Sequence, residues 1–157
     1  MAMQLADDFR EFLRLLNSNG VDYLLIGGYA VGVHGYVRAT GDMDVWIRRS
    51  PENARRVEAT LREFGFAVSS LTADLFLAED NVVRMGVPPN RLEILTSISG
   101  ADFGECFPER VLIDFSGIEV PVISLSRLRQ NKRSAGRSKD LADLDHLPGG
   151  ADWTGKG

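Results

Sequence analysis

The chain has 157 residues, enough for one domain with a sizeable core, and its 44% hydrophobic and 25% charged residues are those of an ordinary globular protein. A net charge of −4 argues against a protein that coats nucleic acid over its whole surface, and no apolar run approaches the roughly 20 residues that span a bilayer. The single cysteine, Cys106, excludes an intramolecular disulfide and a cysteine-based zinc cluster. The acidic, amphipathic N-terminus is unlike a secretory signal or a transit peptide, so we expect a cytoplasmic protein.

Apolar periodicity and turn residues predict the elements of the first half of the chain. Ser50 followed by Pro51 marks the start of a helix, and Gly65 marks its end. In chain order we predict a helix over about 5–17, a strand over 21–26, a helix over 29–36, a strand over 42–48, a helix over 51–64 and a short strand over 66–68.

The second half is predicted to contain strands followed by two helices. The strands are expected over about 81–87, 91–95, 111–115 and 118–123, and the helices over about 124–132 and 137–147. This order of elements predicts a mixed α/β or α+β domain built on one sheet. We divide it into a core over 1–123, a C-terminal helical extension of the same domain over 124–147, and a Gly-rich, disordered tail over 148–157.

The acidic strand GDMDVWI, over 41–47, contains two carboxylates in an otherwise apolar run. Residues i and i+2 of a strand project on the same face, so Asp42 and Asp44 point the same way. Their mutual repulsion raises the pKa of one of them, and a divalent cation removes the conflict. Hard oxygen ligands at this spacing suit Mg²⁺. The alternative is an exposed strand end with solvated aspartates.

A glycine pair, Gly27-Gly28, directly follows the first predicted strand and opens a helix. Glycines there let backbone N–H groups approach a phosphate, aided by the helix N-terminus. A tight strand-to-helix turn explains the pair equally well. The sequence contains neither a P-loop nor a G-x-G-x-x-G motif, which argues against a P-loop NTPase or a dinucleotide-binding domain.

One further acid, Glu93, lies in the middle of the predicted strand RLEIL, among apolar residues. It completes a three-carboxylate cluster with Asp42 and Asp44 if the two strands are neighbours. We therefore predict that the three carboxylates converge. Simple alternation on a half-exposed strand is the other interpretation.

Taken together, these residues resemble the nucleotidyltransferase superfamily related to DNA polymerase beta. The family pattern is a GG or GS pair, a gap of about a dozen residues, a D-x-D or D-x-E strand, and a third carboxylate on a later strand. The segment GGYAVGVHGYVRATGDMDVWI is similar to the small bacterial members, including those of toxin–antitoxin and abortive-infection systems, and NKRSAGRSKDLADL is similar to their C-terminal helical segment. The resemblance covers about 21–147. It implies a nucleotidyltransferase fold, a mixed sheet flanked by helices, with the core over 1–123.

The resemblance also implies roles for the acids and the glycines. Asp42 and Asp44 would hold Mg²⁺ ions that bind the triphosphate of an NTP. Glu93 would share the second metal or accept the proton of the attacking hydroxyl. Gly27 and Gly28 would donate backbone hydrogen bonds to the β and γ phosphates.

Polar and basic residues complete the predicted nucleotide site. The candidates are Arg38, Thr40, Lys132, Arg137 and Lys139. The first two lie just before the acidic strand and would contact phosphate or acceptor. The other three belong to a basic C-terminal segment and would close over the triphosphate or hold an anionic acceptor. Surface ion pairing with nearby aspartates is as good an explanation for these three. The aspartates concerned are Asp140, Asp143 and Asp145.

The implied function is transfer of a nucleoside monophosphate from an NTP to a hydroxyl of a tRNA, a protein or a small molecule. A toxin–antitoxin system, with a cognate partner, and a homodimer are the expected settings. Two departures from the family are Tyr29, where many members have Ser or Thr, and Glu93, where Asp is usual. They favour a second hypothesis, a catalytically weak nucleotide-binding or antitoxin-like module. A third is an interaction domain whose acids are surface residues.

Overall fold

A computed structural model of the chain describes residues 6–149, and this part contains six helices, six strands and two short 3₁₀ turns. The helices are α1 (Asp7–Ser18), α2 (Gly27–Val33), α3 (Pro51–Phe64), α4 (Phe103–Cys106), α5 (Leu125–Ala135) and α6 (Ser138–His146). The strands are β1 (Tyr23–Ile26), β2 (Asp42–Ile47), β3 (Val82–Met85), β4 (Arg91–Leu95), β5 (Val111–Phe115) and β6 (Ile118–Val122). The 3₁₀ turns span Ala73–Phe76 and Phe107–Glu109. None of the helices in this part is long and apolar enough to cross a membrane.

The six strands form one mixed sheet in the order β3-β4-β2-β1-β6-β5. β2 runs parallel to β4 and antiparallel to β1, so the acidic strand lies inside the sheet with a neighbour on each side. β1 is parallel to β6, and the edge strands β3 and β5 are antiparallel to their neighbours. This confirms the predicted mixed α/β fold on a single sheet.

The alternation of β2 separates the core from the site. Met43, Val45 and Ile47 are at most 1% exposed and belong to the main apolar cluster. Each such side chain stabilises the fold by about 1.5–3 kcal/mol through burial. Asp42 and Asp44 project from the opposite face and are only partly buried. Because the apolar residues hold the strand against the core, the direction of the two carboxylates is fixed.

Helix α3 begins and ends where the sequence predicts. The Ser50 side chain caps it by accepting a hydrogen bond from the Asn53 N–H at 3.2 Å, and Pro51 occupies the first turn. It ends at Gly65, whose φ of +124° favours glycine. Helix α5 is capped in the same way by Ser124 and extends to Ala135, three residues beyond its predicted end.

The predicted strand over 66–68 is wrong. The N–H of Phe66 donates to the Leu61 carbonyl at 2.9 Å and so closes the end of α3. The Val68 carbonyl accepts from the Leu71 N–H at 3.1 Å in a local turn. Backbone groups used in this way cannot pair with a neighbouring strand.

Other differences concern boundaries. Helix α2 starts at Gly27 rather than at residue 29, so both glycines belong to its first turn. Helix α4 was not predicted, although Asp102 and Glu105 have the spacing of a helix start, and the Asp102 side chain accepts from the Glu105 N–H at 3.1 Å. The predicted extension over 124–147 contains α5 and α6. Most of the predicted tail, 150–157, and the predicted helix start at residue 5 lie outside the described residues.

Candidate functional site

Three carboxylates converge on one face of the sheet. Strands β2 and β4 are parallel and in register, with Asp44 directly beside Glu93, and Asp42 lies two residues earlier on the same face. Each of the three offers one carboxylate oxygen, and these oxygens lie within 4.8 Å of one another. The geometry is that of a small cluster of hard ligands, as Mg²⁺ prefers.

Asp44 is the innermost acid of the cluster. Its Oδ1 is buried and has no hydrogen-bond partner among the described residues. Burial, the charge and hydrogen bond of Glu93, and the charge of Asp42 together raise the pKa of Asp44 to about 7. A buried, unpaired carboxylate oxygen is costly. A divalent cation at this position would satisfy it, so these residues fit the metal that the sequence suggests.

The pKa of Asp44 predicts a pH dependence of stability. A folded-state pKa of about 7, above the ordinary 3.8, means that the folded protein binds the proton more tightly than the unfolded chain. The stabilisation of the folded state by this proton is complete below pH 3.8 and is lost as the pH rises through 7. We expect the metal-free protein to be less stable at pH 8 than at pH 5, and the Asp44→Asn variant to be more stable than the native chain at pH 8 by roughly 1–3 kcal/mol.

Urea denaturation of both proteins in EDTA at pH 5 and pH 8 measures this difference. Adding Mg²⁺ at pH 8 should stabilise the native chain and not the variant, because ligand binding to the folded state stabilises it. The compared quantity is the difference in unfolding free energy between Asp44→Asn and the native chain. If this difference is the same at pH 5 and pH 8, the prediction is contradicted.

The glycine pair makes room for the acidic strand. Gly27 has a φ of +70°, and a Cβ added there would collide with the carboxylate of Asp44. A Cβ on Gly28 would lie 2.7 Å from Oγ1 of Thr40. The two glycines therefore allow the Asp44 and Thr40 side chains to lie close to the backbone of α2, in addition to any approach by a phosphate.

We expect Gly27→Ala to displace the Asp44 carboxylate, to destabilise the protein by about 1–3 kcal/mol and to weaken Mn²⁺ binding. Gly20→Ala is a matched control. Its φ is +69°, nearly the same, but the nearest atom to an added Cβ is 3.7 Å away. Mn²⁺ titration followed by electron paramagnetic resonance should separate the two variants, and equal Mn²⁺ affinities would count against the proposed collision.

All ten residues predicted for the site line one cleft of about 680 Å³. They are Gly27, Gly28, Arg38, Thr40, Asp42, Asp44, Glu93, Lys132, Arg137 and Lys139. The acids lie on the sheet, and the later cations come from α5, α6 and the turn between them. A cleft with acids on one wall and cations on another suits a metal-bound polyphosphate.

The basic residues are held mainly by buried carboxylates rather than by surface ion pairs. Lys132 Nζ lies 3.1 Å from Asp143 and 3.3 Å from Asp140, and all three side chains are at most 5% exposed. Arg38 donates two hydrogen bonds of 2.8 Å to Asp143. Arg137 lies 2.7 Å from Asp140. The alternative of ion pairing with Asp140 and Asp143 is therefore present for Lys132, but the pairs are buried and not at the surface, because helix packing takes them out of solvent.

Two of the predicted residues differ from this pattern. Asp145 is exposed and lies outside the ion-pair network of the described residues. Lys139 is exposed at the cleft and has no carboxylate partner within residues 6–149, and its charge opposes the upward shift of the Asp44 pKa. Among the predicted cations, Lys139 is therefore the one available to an anionic ligand.

Sequence reasoning missed two arginines of the site. Arg91 donates from Nε and Nη2 to the Asp42 carboxylate at 2.8 and 3.0 Å. Arg84 donates from Nε to Glu93 at 2.8 Å. The spacing of Arg91 and Glu93 places both on one face of β4, which is a signal that the sequence contains. Arg84 needs the register of β3 against β4, which the sequence does not show.

Comparison with known proteins bears on the fold. No protein-family model matches the chain, and no curated protein matches it. A solved structure from Thermotoga maritima, TM1012, whose assignment as a nucleotidyltransferase is itself provisional, superposes with a TM-score of 0.60 at 16% sequence identity, covering 95% of this chain and 91% of that one. The fold is shared. At this identity the likeness supports the architecture of a nucleotidyltransferase and leaves the reaction to be argued from the site.

Proposed function

We propose that the chain is a Mg²⁺-dependent nucleotidyltransferase that moves a nucleoside monophosphate from an NTP to a hydroxyl acceptor. The observation that carries the proposal is the convergence of three carboxylates around a buried Asp44 oxygen that has no hydrogen-bond partner within residues 6–149. The architecture shared with TM1012 agrees with it. An interaction domain with surface acids does not explain why Asp44 is buried beside two other carboxylates.

The acids would hold the metal. Asp42, Asp44 and Glu93 supply hard oxygen ligands, and Mg²⁺ when bound offsets negative charge on the reacting phosphates. Glu93 lies beside Asp44 at the cleft wall, from where it can share the metal or accept the proton of the attacking hydroxyl.

The other walls of the cleft would position the nucleotide. Gly27 and Gly28 leave the cleft open beside the acids, since neither carries a Cβ. Lys139 has no carboxylate partner within residues 6–149, so its ammonium group can contact a triphosphate. Arg137 lies at the same cleft, with its guanidinium 2.7 Å from Asp140. Arg38 and Lys132 are held by buried carboxylates, so their main effect is to fix the cationic wall.

The direct test is incubation of the protein with each α-labelled NTP and Mg²⁺, in the presence of cell lysate. We expect label from one or more NTPs to enter an acceptor, and expect EDTA to prevent it. Separate digestion of the products with ribonuclease and protease distinguishes RNA, protein and small-molecule acceptors. Asp145→Asn is a matched control, because Asp145 is an exposed acid outside the cleft. Absence of labelled product from all four NTPs would overturn the proposal.

The acceptor and the partners belong to the same proposal. A tRNA, a protein side chain and a small molecule are the three acceptor classes. A cognate partner in a toxin–antitoxin system, or a second copy of the chain, would complete the acceptor pocket, since within residues 6–149 only α5 and α6 follow the core. Sedimentation of the purified chain measures self-association.

A second candidate is a nucleotide-binding module with little turnover. The pairing of Asp42 with Arg91 and of Glu93 with Arg84 favours it, because a metal must compete with both arginines. Calorimetric titration with Mg²⁺ and NTP distinguishes the candidates. Binding without turnover, unchanged in Asp44→Ala, would support this module and contradict the enzyme.

A further inference from the structure

Charged side chains alternate across three strands at the cleft. Arg91 on β4 lies directly opposite Asp42 on β2, and Arg84 on β3 lies directly opposite Glu93 on β4. Each arginine donates from Nε to its partner carboxylate at 2.8 Å, and Arg91 Nη2 is also 3.5 Å from Glu93. The arginines thus neutralise the two outer acids, while Oδ1 of the third, Asp44, has no hydrogen-bond partner in the described part of the chain.

The arginine heads can leave these positions. The Arg84 side chain is 57% exposed and the Arg91 side chain 32% exposed, so both are in contact with solvent at the cleft wall. Their partners are less exposed, with 13% of the Glu93 side chain and 26% of the Asp42 side chain accessible. Water and ions therefore reach these pairs from the arginine side. The buried pairs of Lys132, in contrast, are at most 5% exposed.

Charge balance connects the arginines with the metal. Two guanidinium groups carry the same charge as one divalent cation, and they contact two of the three acids that a metal would use. With a divalent cation bound, three carboxylates would face four positive charges, so the guanidinium groups would no longer be fully compensated. A phosphate group is the natural ligand for a planar guanidinium in that position.

We infer that Arg84 and Arg91 are exchangeable counter-ions of the acid cluster: they occupy Glu93 and Asp42 in the metal-free protein, and metal binding releases them to bind a phosphate group of the substrate. The inference rests on the proposed function for the identity of that substrate. The phosphate has two sources, the triphosphate of the NTP or a phosphodiester of a nucleic-acid acceptor. In either case the arginines couple metal binding to substrate binding.

The first test measures metal affinity without nucleotide. Arg91→Gln should bind Mn²⁺ about fivefold or more tightly than the native chain in electron paramagnetic resonance titrations, because a competing positive charge is removed. Arg91→Lys keeps the charge and should remain within about twofold of the native chain. Arg55→Gln, an exposed arginine on α3, is the control for a surface substitution. Unchanged or weaker Mn²⁺ binding by a folded Arg91→Gln would overturn the inference.

A second readout follows the guanidinium groups themselves. In ¹⁵N spectra, the Nε–H signals of Arg84 and Arg91 should shift when Mg²⁺ is added, and that of Arg127 should not. Arg127 is a matched control, since its Nε is paired with Glu109 at 2.9 Å and it does not line the cleft. Signals of Arg84 and Arg91 that stay in place when Mg²⁺ is bound would show permanent ion pairs and contradict the exchange.

Titrations with two possible substrates identify the source of the phosphate group. With Mn²⁺ saturating, Arg91→Gln should bind either a non-hydrolysable NTP or a short single-stranded RNA at least about fivefold more weakly than the native chain. Weakening of the NTP alone assigns the arginines to the triphosphate, and weakening of the RNA alone assigns them to the acceptor. Native affinity for both would contradict release toward a phosphate.

The results separate this inference from the proposed function. If native protein transfers label but Arg91→Gln has native Mn²⁺ affinity, the counter-ion exchange fails and the enzyme stands. If Mn²⁺ affinity rises in Arg91→Gln and the Arg signals move but no label is ever transferred, the exchange stands and the nucleotidyltransferase proposal fails.

Discussion

Replacement of Asp44 by asparagine is expected to reduce the proposed nucleotide transfer by at least roughly a hundredfold, because it removes the innermost of the three proposed metal-ligating charges while keeping the size of the side chain. Asp44 is the acid whose Oδ1 has no hydrogen-bond partner among the residues that the structure describes, and Glu93 lies directly beside it in the parallel pair of β2 and β4. Initial rates with the preferred NTP at saturating Mg²⁺ measure the effect, and Mn²⁺ affinity should fall with them.

The variant offers an internal check on folding. Because Asp44 carries an unfavourable buried charge at pH 8, Asp44→Asn should be at least as stable there as the native chain. Loss of activity therefore cannot follow from unfolding. Asp145→Asn should keep native transfer rates, since that exposed acid lies outside the cleft. Transfer by Asp44→Asn at more than a tenth of the native rate would exclude Asp44 as a metal ligand.

The largest effect on stability is expected at Asp143. Its carboxylate is 3% exposed and is shared between Arg38 and Lys132, which connects α6 with α5 and with the segment before β2. Asp143→Ala leaves the buried Lys132 ammonium with Asp140 alone and leaves Arg38 without its ion pair. Loss of one partner of a buried pair costs about 3–5 kcal/mol, so we expect a loss of this size in urea denaturation.

Asp22→Ala is the matched control for Asp143→Ala. Asp22 accepts from Arg48 Nε at the same distance, 2.8 Å, but the two side chains are 42% and 37% exposed. Such a pair contributes about 0–1 kcal/mol. Equal losses in the two variants would show that the C-terminal network does not hold the helices in place.

Much of the acidic half of the site could be predicted from the sequence because its signals are local. Strand alternation placed Asp42 and Asp44 on one face. The convergence of Glu93 with them was predicted on the condition that its strand is a neighbour, and the parallel register of β2 and β4 meets that condition. The caps at Ser50 and Ser124 determined where two helices begin, since both depend on residues within one turn.

The differences from prediction have two causes. The segment over 66–68 has strand-like residues, but the backbone of Phe66 closes the end of α3 instead. Lys132 has the sequence context of a surface cation, yet the packing of α6 on α5 buries it against Asp140 and Asp143. The first difference is a local helix end, and the second is a tertiary contact that outweighs local preference.

By itself, the sequence of this protein determined which side chains are available for chemistry: the glycine pair, the D-x-D strand, the later acid and the basic C-terminal segment. Periodicity also determined which face of β2 each acid occupies, because a strand repeats every two residues. Only the tertiary structure decided that Arg91 and Arg84 contact the acids and that Gly27 makes room for Asp44. It also decided that Lys132 is buried in ion pairs, while Lys139 lines the cleft without a carboxylate partner among the described residues. The physical reason is that these facts depend on strand register and helix packing, which join residues far apart in the chain.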